Sequence, residues 1–148
     1  MSKDYKVESE FEHKGLKCVV VAQKAGHRCG YVGVPKGHSL YGKDAFSLYD
    51  WDKEEGVEIY VHGGVTFSDG GAETKYPIEA KDTWWFGFDT AHAGDKKDLN
   101  LIAELNPDML DFYKKHFWSE FGDVRTLEYC KQECMELAEQ LKEETNED

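Results

Sequence analysis

The chain reads as an α+β fold: an antiparallel or mixed sheet of about five or six strands packed against C-terminal helices. Three observations predict it. Apolar residues alternate with period two over much of the first 95 positions, glycine-rich turns punctuate that half, and the final third switches to a 3–4 spacing that suits only a helix. At 148 residues, 40% hydrophobic and 14% aromatic, one core is within reach, and neither a linker nor an internal repeat divides it. We therefore expect a single domain over 1–148, with strands and ordered loops over 1–95, mainly helix over 96–144, and a frayed acidic tail over 145–148.

Taken in order, Tyr5, Val7, Ser9, Phe11 and His13 fall on one face of a half-buried strand. Lys14-Gly15 is a two-residue turn, and Leu16 to Gln23 returns as a largely apolar strand. Gly26, Gly30, Gly33, Gly37 and Gly42 punctuate the next segment. A short strand is expected over Tyr31–Val34, then a long ordered loop of the kind that places side chains and bare amides outside the core. Residues 44–56 read as a short helical turn followed by an acidic loop. Val57, Ile59 and Val61 on one face, with Glu58, Tyr60 and His62 on the other, predict a strand. Gly63-Gly64 breaks or bulges it, Val65–Phe67 resumes it, and Ser68–Gly71 reads as a turn. Thr83 to Asp89 is a further strand. Trp84, Phe86 and Phe88 face one way; Trp85, Gly87 and Asp89 face the other, where Gly87 leaves room for a ligand or a neighbouring backbone. Asn106-Pro107 starts a helix carrying Met109, Leu110, Tyr113 and Phe117. Asp123 is the expected cap of a final helix with the stripe Leu127, Cys130, Cys134, Leu137 and Leu141.

Bulk properties exclude several roles. A net charge of −12 argues against binding extended nucleic acid, which needs clustered cations. No run approaches the roughly 20 apolar residues of a membrane span. Met1 to Lys6 has no apolar stretch of the signal-peptide type, so a cytoplasmic location is expected. The cysteines form no CxxC pair and sit in apolar contexts, which points to buried thiols. Between His13 and Lys43 lie six basic residues (Lys14, Lys17, Lys24, Arg28, Lys36, Lys43) and no acid. Such an island attracts a small anion, unless its members are only solvated faces.

Three clusters are candidates for chemistry. Residues 30–42 combine glycines with Lys36, His38 and Tyr41, but lack the P-loop spacing. His62-Gly63-Gly64 is followed by the Thr66 hydroxyl. The apolar strand ending at Asp89 runs into His92 and Asp95 at steps of three, a carboxylate–imidazole grouping beside an apolar wall that shifts pKa values and holds polar ligands. No GxSxG or HExxH motif is present, so nucleophilic catalysis is unsupported, and His62, Asp89, His92 and Asp95 are only weak metal candidates. As a ligand site we expect Lys36, His38 and Tyr41 to hold an anion. His62 and Thr66 would hydrogen-bond the ligand, Trp85 would stack on it, and Asp89 and His92 would orient it. As a catalytic site the candidates are His62, Asp89 and His92, with Asp89 orienting either histidine. A shared open sheet face for Tyr60, His62, Trp85 and Asp89 is the geometric condition for that pocket.

The segments GYVGVPKGHSLYG, VHGGVTF, WWFGFDTAHAGD and TLEYCKQECMELAEQL resemble a family of small uncharacterised proteins common in phages, prophages and other bacterial mobile elements. The resemblance runs from about Gly30 to Leu141, with Lys96–Gly122 outside the pattern as an insertion. It implies the context of a phage-type accessory factor, not a mechanism. Three functions are therefore expected as alternatives. The first is a binding or sequestering protein for a small anionic ligand, with nucleotide-like molecules among the candidates. The second is a hydrolase acting on a phosphoester or similar substrate through a His/Asp or metal site. The third is an acidic protein that blocks a host protein.

Overall fold

In the computed structural model, which describes residues 5–71, 82–116 and 122–143, Lys14 and Gly15 both take positive φ, 55° and 81°. That is what a two-residue type I′ turn requires, and it joins β1 (Tyr5–His13) to β2 (Leu16–Gln23) as the Lys-Gly pair predicts. The register shifts between Val7 and Ser9, a bulge that leaves Glu8 without an opposite residue. β3 (Arg28–Pro35) is longer than the expected Tyr31–Val34 because it is central, paired with a strand on each side. Gly30 inside it is a packing residue. A Cβ there would overlap the Phe88 ring and come within 2.8 Å of Cys134 Sγ.

After a 3₁₀ turn at Ala45–Ser47, the acidic loop folds into a small hairpin of β4 (Tyr49–Asp50) and β5 (Glu55–Gly56). β6 (Phe67–Gly71) and β7 (Thr83–Asp89) complete the main sheet, which among the described residues has the order β1-β2-β3-β7-β6 and is antiparallel throughout. Two local expectations are corrected here. Ser68–Gly71 is edge strand, not turn, because its backbone pairs with β7 (Ser68 opposite Phe86, Gly70 opposite Trp84), and pairing overrides turn propensity. Val57–Val61 forms no strand, although Val57, Ile59 and Val61 do pack on the core. Tyr60 within it is bound by a side chain: the Tyr60 amide donates to Gln140 Oε1 at 2.8 Å, and Gln140 Nε2 donates to the Tyr60 carbonyl at 2.7 Å.

A two-residue strand, β8 (Asp95–Lys96), leads to α1 (Leu99–Leu105), a 3₁₀ turn at Pro107–Met109, and α2 (Leu110–His116). β9 (Asp123–Val124) pairs in parallel with β8 and precedes α3 (Leu127–Glu143). The cap of α3 is Thr126, whose hydroxyl accepts the Tyr129 amide at 3.1 Å, and not Asp123, which β9 holds in extended form. Asn106 likewise makes no side-chain cap; Asp98 caps α1 by accepting the Asn100 amide. The tail at 145–148 lies outside the described residues, as does Phe117.

α3 covers one face of the sheet. Its stripe Cys130, Cys134, Leu137 and Leu141 meets Val20, Val32, Phe86 and Phe88, all fully or almost fully buried. On the opposite face Val19, Val21, Cys29, Tyr31 and Trp85 form a second apolar cluster, which is why β2 reads as apolar at nearly every position. The four cysteines are buried and unpaired. Among the described residues no helix is long and apolar enough to cross a membrane.

Arg28 joins these layers. Its guanidinium donates to Glu8 Oε1 at 2.6 Å, to Asp98 Oδ2 at 3.1 Å and to the Arg125 carbonyl at 3.0 Å, with a side chain only 8% exposed. Removing one partner of a buried ion pair leaves uncompensated charge. Arg28→Ala should therefore lower stability by about 3–5 kcal/mol, read from urea unfolding as a shifted midpoint with an unchanged slope; a loss within ~1 kcal/mol would mean that Glu8 and Asp98 are adequately solvated without it. Gly30→Ala should cost about 1–3 kcal/mol by overpacking, measured the same way.

Candidate functional site

β7 delivers Asp89 to the end of the sheet, and the chain then folds back over Gly63. Asp89 Oδ1 accepts the Ala91 amide at 3.0 Å and lies 3.0 Å from His92 Nε2; Thr66 donates to Oδ2 at 3.4 Å. The His92 ring rests on Gly63, where a Cβ would lie 2.5 Å from Nε2 and where φ is +70°. The backbone conformation and the close contact therefore both call for glycine there. Asp89 and His92 side chains are 33% and 39% exposed, open enough to meet a ligand.

Behind this pair sits a closed network. The Asp95 carboxylate, 2% exposed, accepts from His62 Nε2 at 2.9 Å, from Arg125 Nε at 2.8 Å and from the His92 amide at 3.0 Å. Burial alone would raise its pKa. The bonds from His62, Arg125 and the His92 amide outweigh that and hold it below the usual carboxylate range. With Nε2 donating to Asp95, Nδ1 of a neutral His62 accepts from the Tyr129 hydroxyl at 2.7 Å. The Arg125 guanidinium lies over the Tyr129 ring, 5.1 Å from its centroid. Both nitrogens of His62 are thus used inside the protein, and Asp89 orients His92 alone.

In front of the Asp89–His92 pair opens a cleft of about 580 Å³, bounded by Gln23, His27, Tyr31, Thr66 and Phe67. Phe67, half-buried, is its aromatic wall, and the buried Tyr31 ring meets Phe67 edge to face at 5.1 Å. Gly87 is what lets the Tyr31 ring lie across β7: a Cβ there would come within 2.6 Å of it, so the space that glycine leaves takes a side chain of the protein itself. Nδ1 of His27 is buried without a partner among the described residues. Burial, then the nearby charge of Lys97, pushes the pKa of this imidazole down, so it is neutral at pH 7. Cys29 also borders the cleft, but burial pushes its thiol up to about 11; it is wall, not nucleophile.

The residues expected to form one pocket divide into separate places. Cys29 is opposite Asp89 and Pro35 opposite Thr83, so Lys36 lies seven positions along, roughly 24 Å from Asp89 at about 3.4 Å per residue. Lys36 is exposed there, 4.0 Å from Asp82. His38 is buried: Nε2 donates to the Leu141 carbonyl at 2.8 Å in the last turn of α3, and Nδ1 accepts the Leu40 amide at 2.9 Å. Tyr41 packs on Trp84. Trp85, 2% exposed, belongs to the second apolar cluster and offers no open face for stacking. Tyr60 is 71% exposed beside α3, so Tyr60, His62, Trp85 and Asp89 share no face. What does come together is Thr66, Asp89 and His92 at the cleft, with His62 and Asp95 supporting them. The basic island is split in the same way, Lys36 at one end of β3 and Arg28, bound to Glu8 and Asp98, at the other. Among the described residues no group of three or more His, Cys, Asp or Glu is placed to hold a metal. Sequence reasoning missed Tyr129, Arg125, His27, Tyr31 and Phe67; only the off-stripe position of Tyr129 on its helix hinted at a role. Compared with protein-family models, curated proteins and solved structures, the chain matches none.

Asp95 links this network to pH. Its carboxyl is more acidic folded than unfolded, so its stabilisation is full above the ordinary value near ~4 and disappears as pH falls through the lower folded value. Asp95→Asn should be less stable than the wild type by about 1–3 kcal/mol at pH 7, with the gap closing as pH falls through the folded value in parallel urea titrations. A gap of constant size would mean that the network is maintained without the charge.

Proposed function

We propose that this protein binds a small, nucleotide-like ligand in the cleft in front of Asp89 and His92. One observation carries the reading: a cleft of about 580 Å³ sets the half-buried Phe67 ring, packed on buried Tyr31, beside a few polar groups, the Asp89–His92 pair and Thr66. That combination of volume, apolar wall and sparse polar anchors is what sites for small planar molecules have in common. A heterocycle would lie on the Phe67 ring with its hydrogen-bonding edge towards Asp89 and His92. Any anionic group would be met at this end by His92, and not by Lys36 or His38.

A second reading rests on His92 itself. Its Nε2 is held by Asp89, and its Nδ1 has no partner among the described residues, the arrangement of a general base acting on a bound phosphoester.

Calorimetric titration with nucleobases, nucleosides and nucleoside phosphates tests both. Asp89→Asn and His92→Ala should each weaken binding by about tenfold or more, whereas Lys36→Ala should leave it unchanged. The converse pattern would move the site to the far end of β3. Ligand consumption by the wild type, lost in His92→Gln, would replace capture with hydrolysis.

A further inference from the structure

Away from the cleft, the segment from Asp44 to Tyr60 presents large apolar rings to solvent: Phe46 is 74% exposed, Trp51 76% and Tyr60 71%. Single exposed hydrophobics need no explanation, but a contiguous group does. Here Tyr49 and Trp51 meet edge to face at 4.5 Å, and a groove of about 210 Å³ runs between Phe46, Trp51 and Tyr60 over Ile59. A second hollow lies against the same Phe46, Tyr49 and Trp51 and is bounded by Asp50 and Asp52.

The rings stand on an ordered backbone. Gln140 holds Tyr60 through both its amide and its carbonyl. The Val57 amide donates to the Leu48 carbonyl at 2.7 Å, Asp44 caps the turn that carries Phe46, and Asp50 Oδ1 accepts the amides of Asp52 and Lys53 just after Trp51. The rim is strongly negative: from 44 to 60 the sequence has six carboxylates and one lysine. The Tyr60 hydroxyl donates to Glu58, which fixes one of those carboxylates beside the groove.

Aromatic faces and carboxylates attract the same partner, a cation with an apolar stem. We propose that this patch docks an arginine-bearing segment of a partner protein, with guanidinium groups stacked on Trp51 and Tyr60 and paired to Asp50, Asp52 and Glu58. Arginine fits better than lysine because its plane stacks on rings while its fork meets carboxylates. Two copies of so acidic a patch would repel each other, which argues against a second copy of this chain, and the same field disfavours nucleic acid. A groove of about 210 Å³ admits a side chain sooner than a whole cofactor-sized molecule.

The probe is a capped peptide with three arginines spaced by leucine and glycine, run beside twins in which citrulline or glutamate replaces each arginine. It is titrated into the full-length protein by calorimetry and amide NMR. The arginine peptide should shift resonances of residues 44–60, bind more weakly with added salt, and prefer the protein to both twins. The double variant Trp51→Ala/Tyr60→Ala should lose about tenfold or more in affinity while melting like the wild type, since both side chains are exposed. His92→Ala should bind the peptide normally, which separates this patch from the cleft. Equal binding of the citrulline twin would overturn the proposal in favour of an uncharged apolar occupant. Undiminished affinity in the double variant would reduce the effect to diffuse acidity, and self-association abolished by Trp51→Ala would make the occupant a second copy.

Discussion

The Arg28 guanidinium is the point through which the layers of this molecule are tied together. It reaches the bulge of β1 through Glu8, the cap of α1 through Asp98, and the chain just before α3 through the Arg125 carbonyl. Its own backbone is pinned to β7: the Arg28 amide donates to Thr90 Oγ1, and the Thr90 amide and hydroxyl both donate to the Arg28 carbonyl. One side chain therefore reaches partners up to 97 positions away in sequence. A buried cation is stable only if such partners surround it, so its demand for oxygen acceptors sets where β1, α1 and the start of α3 converge. The bulge in β1 lies at the same place: Glu8, the residue it leaves without an opposite partner, is the one bound to the guanidinium.

The candidate site depends on that convergence. Arg125 immediately precedes α3, and the geometry that gives its carbonyl to Arg28 gives its guanidinium to Asp95. Asp95 in turn fixes His62 and the His92 amide, and the His92 ring completes the cleft with Asp89. The two His–Asp pairs are thus unequal. His62–Asp95 is closed on every side and acts as a support; His92–Asp89 is half open and meets solvent. An internal, saturated network behind an exposed pair is how a fold holds polar groups in position without side-chain entropy being lost at the moment of binding.

Charge is distributed with a comparable division. The basic residues between His13 and Lys43 look like one island along the chain, but antiparallel pairing sends its members to opposite ends of β2 and β3, and the most buried of them is neutralised within the protein. The acids of residues 44–60 stay together because they occupy one compact hairpin and its flanks. Local clusters survive folding when the segment that holds them is local, and disperse when a strand carries them.

The sequence by itself determined the α+β class, the first hairpin, the β7 alternation, the buried cysteines and the stripe of α3. Each of these follows from backbone periodicity or turn stereochemistry, which act over a few residues. It also marked Asp89, His92 and Asp95 as polar residues leaving an apolar strand. Only tertiary structure decided that Asp89 takes His92 and Asp95 takes His62, that Lys36 lies roughly 24 Å along the sheet from Asp89, and that His38 is buried against the Leu141 carbonyl. It alone turned Ser68–Gly71 into strand and gave the Tyr60 backbone a glutamine side chain in place of a neighbouring strand. The reason is physical: a residue's face is set by its immediate neighbours, whereas its partner is set by strand order and register, and these are fixed by contacts that close loops many residues long.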